Sequence, residues 1–196
     1  MLLLTSAMVY FLKVFSTFFF LSSYQNFPAD KISFQVDCLV YEKSGQSRIA
    51  KSFDRISKNE KFQLVLVSDC DVNLLVLNKS TSDCQKLEKI FIVSNKTYYL
   101  PSKNDYYSFD YKSKREELFI VAFNKLVKDL EPLLNPTTDC TFMSEKLNEY
   151  YMKKYYVEKN SVPPLIQISG NIRDMSLSEK LSGYDLIIKK YSFDVQ

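Results

Sequence analysis

The sequence predicts a mostly-β (α+β) protein: an antiparallel β-sandwich or partly open barrel of about eight or nine strands, with two late helices packed on it. Three observations predict this class. Apolar and polar residues alternate over several short segments, turn residues separate these segments at intervals of about ten residues, and the apolar period lengthens to that of a helix only after residue 124. A hydrophobic fraction of 46% is enough to bury a core, so the composition does not indicate disorder.

The first predicted strand shows the alternation most clearly. Its inward face is expected to carry Ile32, Phe34, Val36, Cys38 and Val40. The polar residues between them, Ser33, Gln35 and Asp37, are expected on the opposite face of a half-buried strand.

Two β-rich runs follow, from Phe62 to Val67 and from Val72 to Leu77. Because only a short polar turn separates them, we expect a hairpin. Their nearly continuous apolar character is typical of central strands that are covered on both faces. Further strands are predicted in five places: Ile49 to Phe53, Lys89 to Val93, Thr97 to Leu100, Tyr107 to Tyr111, and Leu118 to Phe123.

The period then changes to that of helices. Leucines from Leu126 to Leu134 have helical spacing, and Pro136 ends the pattern. A second helix is predicted from Thr141 to Val157. Strands are predicted again from Leu165 to Ser169 and from Tyr184 to Val195. We therefore expect a single domain over residues 31–196 with a helical insertion at about 124–158.

Residues 1–23 are apolar, with Lys13 as the single charge, and they predict a signal peptide or a membrane anchor. A cleaved leader and a retained anchor both stay open, because a lysine within a spanning helix costs about 3 kcal/mol and the cleavage motif is poor. Residues 24–30 are polar, contain Pro28, and are expected to be a linker. Either alternative predicts export.

Four cysteines are present, at positions 38, 70, 84 and 140. In an oxidising compartment they allow three pairings, of which Cys70 with Cys84 is the most plausible because these two bracket the predicted hairpin. Cys38 is expected to act as a small apolar residue of the core. The spacing does not fit a four-cysteine zinc site.

The composition argues against several chemistries. The chain has no histidine, which removes the commonest general base and metal ligand, and its three glycines are too far apart for a phosphate-binding loop. A net charge of +3 without a clustered excess argues against nucleic-acid binding. Asp69 and Asp71 flank Cys70, but no full loop of calcium ligands follows them. We therefore predict no catalytic, cofactor-binding or metal-binding residues.

Three segments carry a family resemblance: NEKFQLVLVSDCDVNLLVLNKS, KIFIVSNKTYYLPS and EELFIVAFNK, all within residues 59–123. They resemble the bacterial family called domain of unknown function 4384, whose closing strand the C-terminal IIKKYSFDV also resembles. Ile92 stands where that family has proline, and Asn95 where it has glycine; asparagine still tolerates the left-handed turn. The resemblance implies a β-sandwich-like accessory domain of bacterial surface or signalling proteins, with no assigned catalytic residues.

Tyrosines crowd one part of the predicted sheet. Tyr98, Tyr106 and Tyr107 are candidate ligand-facing aromatics, since tyrosine rings on a β-sandwich can stack on a sugar or a peptide. The alternative is that alternating members of this group belong to the core. A basic turn of Lys112, Lys114 and Arg115 is either a solvated turn or a site for phospholipid headgroups.

Together these patterns predict a non-enzymatic, exported envelope protein of the periplasm or cell surface that acts as a binding or assembly module. Its partner would be another envelope protein, and its N-terminus would allow membrane association. A membrane-tethered structural subunit of an envelope complex and a carboxylate-based hydrolase are the two alternatives.

Overall fold

The computed structural model describes residues 31–81, 83–124, 135, 137–152, 158–163, 165 and 178–196. Within them, two β-sheets pack together without closing into a barrel, which confirms the predicted mostly-β sandwich. The predicted leader, linker and first helix lie outside the described residues, as does most of the strand predicted from Leu165 to Ser169. No helix in the described part of the chain is long and apolar enough to cross a membrane.

The described elements are, in chain order, β1 (Lys31–Tyr41), β2 (Ser47–Ile49), β3 (Arg55–Ile56), β4 (Lys61–Ser68), β5 (Val72–Ser80), β6 (Cys84–Ile92), β7 (Tyr98–Leu100), β8 (Tyr107–Ser108), β9 (Arg115–Phe123), α1 (Cys140–Met152), β10 (Glu158–Val162), β11 (Ser178–Tyr184) and β12 (Leu186–Val195). The first sheet has the order β10-β11-β1-β4-β7, with β2 beside β1 and β8 beside β4. The second sheet has the order β3-β12-β9-β5-β6.

The predicted hairpin between β4 and β5 is wrong, because the two strands lie in different sheets. The turn between them is a corner that carries the chain across the roughly 10 Å separating packed sheets. Its two carboxylates bind backbone amides of other segments: Ser33 N donates to Asp69 Oδ1 at 2.8 Å, and Ser94 N donates to Asp71 Oδ1 at 2.8 Å. These hydrogen bonds of the two aspartates stabilise the corner.

Two further corners lie at the same end of the sandwich, which we call the corner end. Asn95 has φ 58° between β6 and β7, and Asp185 has φ 61° between β11 and β12. The left-handed turn expected at Asn95 is therefore confirmed. Asp185 also explains why the last strand begins at Leu186 rather than at Tyr184, since the residues before this corner belong to the unpredicted strand β11.

The core between the sheets contains the inward residues of β1, all fully or almost fully buried as predicted, including Cys38. A second cluster forms where α1 packs on the outer face of the second sheet. Its members include Leu75, Leu77, Phe119, Met143 and Leu147. Strand β5 is thus covered on both faces, as its apolar run predicted.

The polar face of β1 is buried, contrary to the half-buried strand expected from its alternation. Residues 163 and 165 cross this face: the Gln35 amide donates to Pro163 O at 2.9 Å, and Leu165 N donates to Asp37 Oδ2 at 2.8 Å. Burial raises the pKa of Asp37, while the nearby Ser178 hydroxyl, the bond from Leu165 N and the charge of Lys189 oppose the rise. The alternation specified which residues share a face, but not that residues 163 and 165 would cover the polar face.

Candidate functional site: a polar cleft at the end of the sandwich

A polar cleft of about 360 Å³ opens at the end of the sandwich opposite the corners, which we call the cleft end. It lies at the turn where β5 ends and β6 begins in the second sheet, and it faces the loop that joins β8 to β9. Its lining residues are Asn78, Ser80, Asp83, Gln85, Ser108, Phe109, Asp110 and Lys112. Hydroxyls, amides and carboxylates dominate this set, so the cleft suits a polar ligand.

Glu116 lies behind the cleft and is completely buried. Its carboxylate accepts hydrogen bonds from Asn78 Nδ2 at 2.7 Å and from the backbone amide of Asp110. Burial raises the pKa of Glu116 and the Asp110 charge adds to the rise, while the two hydrogen bonds oppose it. Because both bonds reach cleft-lining residues, Glu116 positions the cleft without contacting solvent.

Glu116 is buried because of its position in β9. It pairs with Ser80 of β5 and Phe193 of β12, so its side chain shares the inward face of Leu118, Ile120 and Ala122. The signal was present in the sequence. Extending the apolar alternation of β9 backward by two residues from Leu118 places Glu116 on the buried face.

The first wall of the cleft is the turn between β5 and β6, and the second is the loop that joins β8 to β9. The two walls are joined to each other and to the rest of the molecule. In the first wall, the Ser80 hydroxyl donates to Asp83 O at 3.2 Å, and the Asp83 amide donates back to that hydroxyl at 3.0 Å. Thr81 N donates to Ser113 Oγ at 3.1 Å, which ties this wall to the opposite loop. A disulfide between Cys84 and Cys140 fixes the base of the first wall to α1.

The carboxylates that line the cleft are already engaged by their own loops. Asp83 accepts hydrogen bonds from Cys84 N and Gln85 Nε2, both at 2.8 Å. Asp110 accepts from Lys112 N at 3.1 Å and from the Ser113 hydroxyl at 3.4 Å. These bonds hold the carboxylates in fixed positions, an arrangement suited to recognition of a ligand by hydrogen bonding.

The predicted disulfide between Cys70 and Cys84 is wrong: Cys84 pairs with Cys140, whereas Cys70 and Cys38 are free. Strand β5 separates the two cysteines: Cys70 precedes it at the corner end, and Cys84, next to Lys79 in the neighbouring strand, lies at the cleft end. The seven residue steps from Val72 to Lys79 alone span about 24 Å, far beyond the roughly 7 Å that a disulfide can bridge between Cα atoms.

The three candidate ligand-facing tyrosines are not brought together. Tyr98 and Tyr107 pack against the core between the sheets. Tyr106 points to the opposite face, where its ring lies 4.6 Å from that of Tyr41, and it is 42% exposed. Of the three, Tyr106 is exposed, whereas Tyr98 and Tyr107 are partly buried.

Tyr98 and Tyr107 instead connect the two sheets along one side of the sandwich. The Tyr107 hydroxyl donates to Glu88 Oε1 at 2.8 Å, and the Tyr98 hydroxyl accepts from Val93 N at 2.9 Å. Burial raises the pKa of Tyr107, and the bond to Glu88 and its charge add to this rise.

Comparison of the chain with protein-family models, with characterised proteins and with solved structures finds no match. The resemblance to the family called domain of unknown function 4384 therefore stays a prediction, and a function has to be inferred from the fold and the cleft. Within the described ranges, histidine, cysteine, aspartate and glutamate do not form a group of three or more that could hold a metal ion.

Proposed function

We propose that this protein is a non-enzymatic, exported binding or assembly module of the cell envelope, and that it takes a polar ligand in the cleft at the end of its β-sandwich. The ligand would be a hydroxyl-rich or amide-rich group presented by another envelope component. The predicted resemblance of residues 59–123 to an accessory domain family of bacterial surface or signalling proteins is in keeping with this role.

The observation that carries this proposal is the fixed geometry of the cleft. Glu116 holds the loop of Asp110, the bond from Thr81 to Ser113 joins the two walls, and the disulfide at Cys84 anchors the first wall. A site that is rigid before binding loses less conformational entropy when a ligand arrives. The rigidity that these interactions give to a polar cleft favours a binding role.

The disulfide also supports export. Disulfides persist in the periplasm and at cell surfaces and are rare in reducing compartments. The apolar segment predicted at residues 1–23 is the element that would direct the chain there. Mass spectrometry of the mature N-terminus distinguishes a released module from the alternative, a membrane-tethered subunit that keeps this segment.

Ligand binding can be tested by titrating the isotope-labelled full chain, with its disulfide intact, with neutral oligosaccharides and with short peptides. We expect one class to shift the backbone resonances of Asn78, Ser80, Gln85 and Ser108 together. Gln85→Ala should weaken that binding about fivefold, the equivalent of one lost hydrogen bond.

A matched pair of lysine variants checks that the site is the cleft. Lys112 lines the cleft, and Lys96 lies exposed in the turn at the corner end. Lys112→Ala should weaken binding and Lys96→Ala should leave it unchanged. Resonance shifts that avoid the cleft, or equal effects of the two variants, would count against the proposal.

A further inference from the structure

An exposed aromatic side chain and three cations lie together at the cleft end, outside the cleft itself. We call Phe53, Arg55, Lys114 and Arg115 the basic aromatic patch. Asp194 of β12 pairs with Arg55 of β3 on one side and with Arg115 of β9 on the other. The two arginines are therefore two strand spacings apart, about 10 Å, and Lys114 is adjacent because its carbonyl accepts from Val195 N at 3.0 Å.

Phe53 is held in an unusual position. It is 66% exposed and has φ 71°, a left-handed conformation that bulky residues rarely adopt. Its amide donates to Ser192 O at 2.5 Å, and the next residue, Asp54, is fixed by Arg48 at 2.7 Å. The Arg115 guanidinium lies 5.8 Å from the centre of the Phe53 ring. The fold thus keeps a large apolar ring in water beside a cation.

The charge around this ring is positive. Arg55, Lys114 and Arg115 are all exposed, and Asp194 is the exposed carboxylate between them. Two other carboxylates lie nearby: Asp54 pairs with Arg48 at 2.7 Å, and Glu117 pairs with Lys190 at 2.9 Å and with Arg115 at 3.8 Å. Even with Arg115 paired in this way, Arg55 and Lys114 outnumber Asp194, so the charge around the exposed aromatic ring is positive.

We propose that the basic aromatic patch docks on an anionic lipid surface, with the Phe53 ring entering the interface and the three cations contacting the headgroups. Aromatic rings partition to the boundary between headgroups and acyl chains, and cations beside them add electrostatic attraction to anionic lipids. This proposal does not depend on a ligand in the cleft.

The position of the patch makes this contact distinct from the N-terminal segment. The chain enters the sandwich at Lys31, at the corner end, and β1 runs eleven residues toward the cleft end. These residues span about 35 Å. Docking through the patch would therefore turn the cleft end of the sandwich, and not the corner end where β1 begins, toward the lipid.

The chain contains no tryptophan, so a single introduced tryptophan reports its own surroundings. We would place it with Phe53→Trp in the full chain and add vesicles of phosphatidylcholine alone or with about 30% phosphatidylglycerol, an anionic surface that attracts such cations. The expected result is a blue shift of the emission and quenching by brominated acyl chains, on the anionic vesicles only.

Phe91→Trp is the matched control. Phe91 is also exposed, at 56%, but it lies in β6 opposite Asn73, toward the corner end of the second sheet. Its emission should not change on either vesicle. The control also removes the contribution of the apolar N-terminus, because binding through residues 1–23 would occur in both variants without immersing residue 53 selectively.

Charge dependence gives the second measurement. In the Phe53→Trp background, replacing both Arg55 and Lys114 with glutamine should weaken partitioning to anionic vesicles about 25-fold, or about fivefold for each cation removed. An unshifted emission on anionic vesicles, an equal response of the two tryptophans, or a full response to soluble glycerophosphate would each overturn the proposal. Equal thermal midpoints of the variants establish that all of them are folded.

Discussion

The Tyr107 hydroxyl donates a hydrogen bond to Glu88 across the side of the sandwich at 2.8 Å, and in this way joins an edge strand of one sheet to an edge strand of the other. The ring of Tyr107 packs against Phe62, 5.1 Å between centroids. One side chain therefore contributes both to the core and to a polar link at its margin.

Removing this hydroxyl should destabilise the protein measurably. Tyr107→Phe keeps the ring contact but leaves the half-buried Glu88 carboxylate without this donor, and we expect the free energy of unfolding to fall by about 1–2 kcal/mol. Denaturant titration measures it. Tyr106→Phe, at the exposed neighbouring position, is the control and should change stability by less than about 0.5 kcal/mol. Equal losses in the two variants would contradict the assigned role of Tyr107.

The disulfide between Cys84 and Cys140 closes a loop with a sequence separation of 56 residues. Cross-linking a loop of this length lowers the entropy of the unfolded chain, and the chain-entropy relation predicts a stabilisation of about 4 kcal/mol. Cys140→Ser should lose most of it in thermal or denaturant unfolding, whereas Cys70→Ser should lose little. Non-reducing peptide mapping gives an independent check, and recovery of a Cys70–Cys84 peptide would refute the pairing.

The two free thiols should differ in reactivity. Cys38 is completely buried, and burial raises the pKa of its thiol. Cys70 is only partly buried; burial raises the pKa of its thiol as well, against the bond to Ser68. We expect a thiol reagent to modify Cys70 first in the folded protein and to reach Cys38 only on unfolding. Mass spectrometry during denaturant titration follows both sites, and early labelling of Cys38 would be inconsistent with this core.

Glu116 should make stability depend on pH. Its pKa is raised in the folded state, so over an interval of pH the folded protein binds a proton that the unfolded chain has released. The resulting stabilisation is fully present below the ordinary glutamate pKa of 4.5 and is lost as the pH rises through the folded value. Asp37 acts in the same direction, whereas Glu179 acts oppositely: burial would raise its pKa, but the bond to Lys189 and its charge lower it.

Glu116→Gln isolates this contribution. The amide cannot accept both existing hydrogen bonds, so we expect a loss of about 1–3 kcal/mol at neutral pH. The fall in stability with rising pH above 4.5 should also become shallower. Unfolding curves recorded at a series of pH values above the ordinary glutamate pKa of 4.5 measure this slope. Unchanged pH dependence would mean that Glu116 does not titrate in the folded state as proposed.

Much of the fold could be predicted because alternation directly specifies which residues share a face. This is why the inward residues of β1 and the covered strand β5 were identified correctly. Alternation does not specify which sheet a strand joins. A short polar turn such as Asp69 to Asp71 fits a hairpin and a corner equally well, and only the rest of the fold decides between them.

The errors at the candidate site arise from the same limit. The cysteine pairing was inferred from the predicted hairpin, but it failed because the whole length of β5 separates Cys70 from Cys84. Strands β10 and β11 were missed because EKNSV and SEKLSGY contain few apolar residues and pair at the edge of the first sheet. These segments form strands because they pair with their neighbours, not because their own residues favour strand structure.

The pairing of β11 with β1, and of β12 with β9, has a consequence for the newly made chain. Residues 178–196 supply a strand to each sheet, so neither sheet is complete until these residues have been synthesised. Long-range pairing of this kind slows folding. A nascent chain would keep unpaired strand edges until then, and under the export proposed above this would let the chain pass a secretion channel before the sandwich closes.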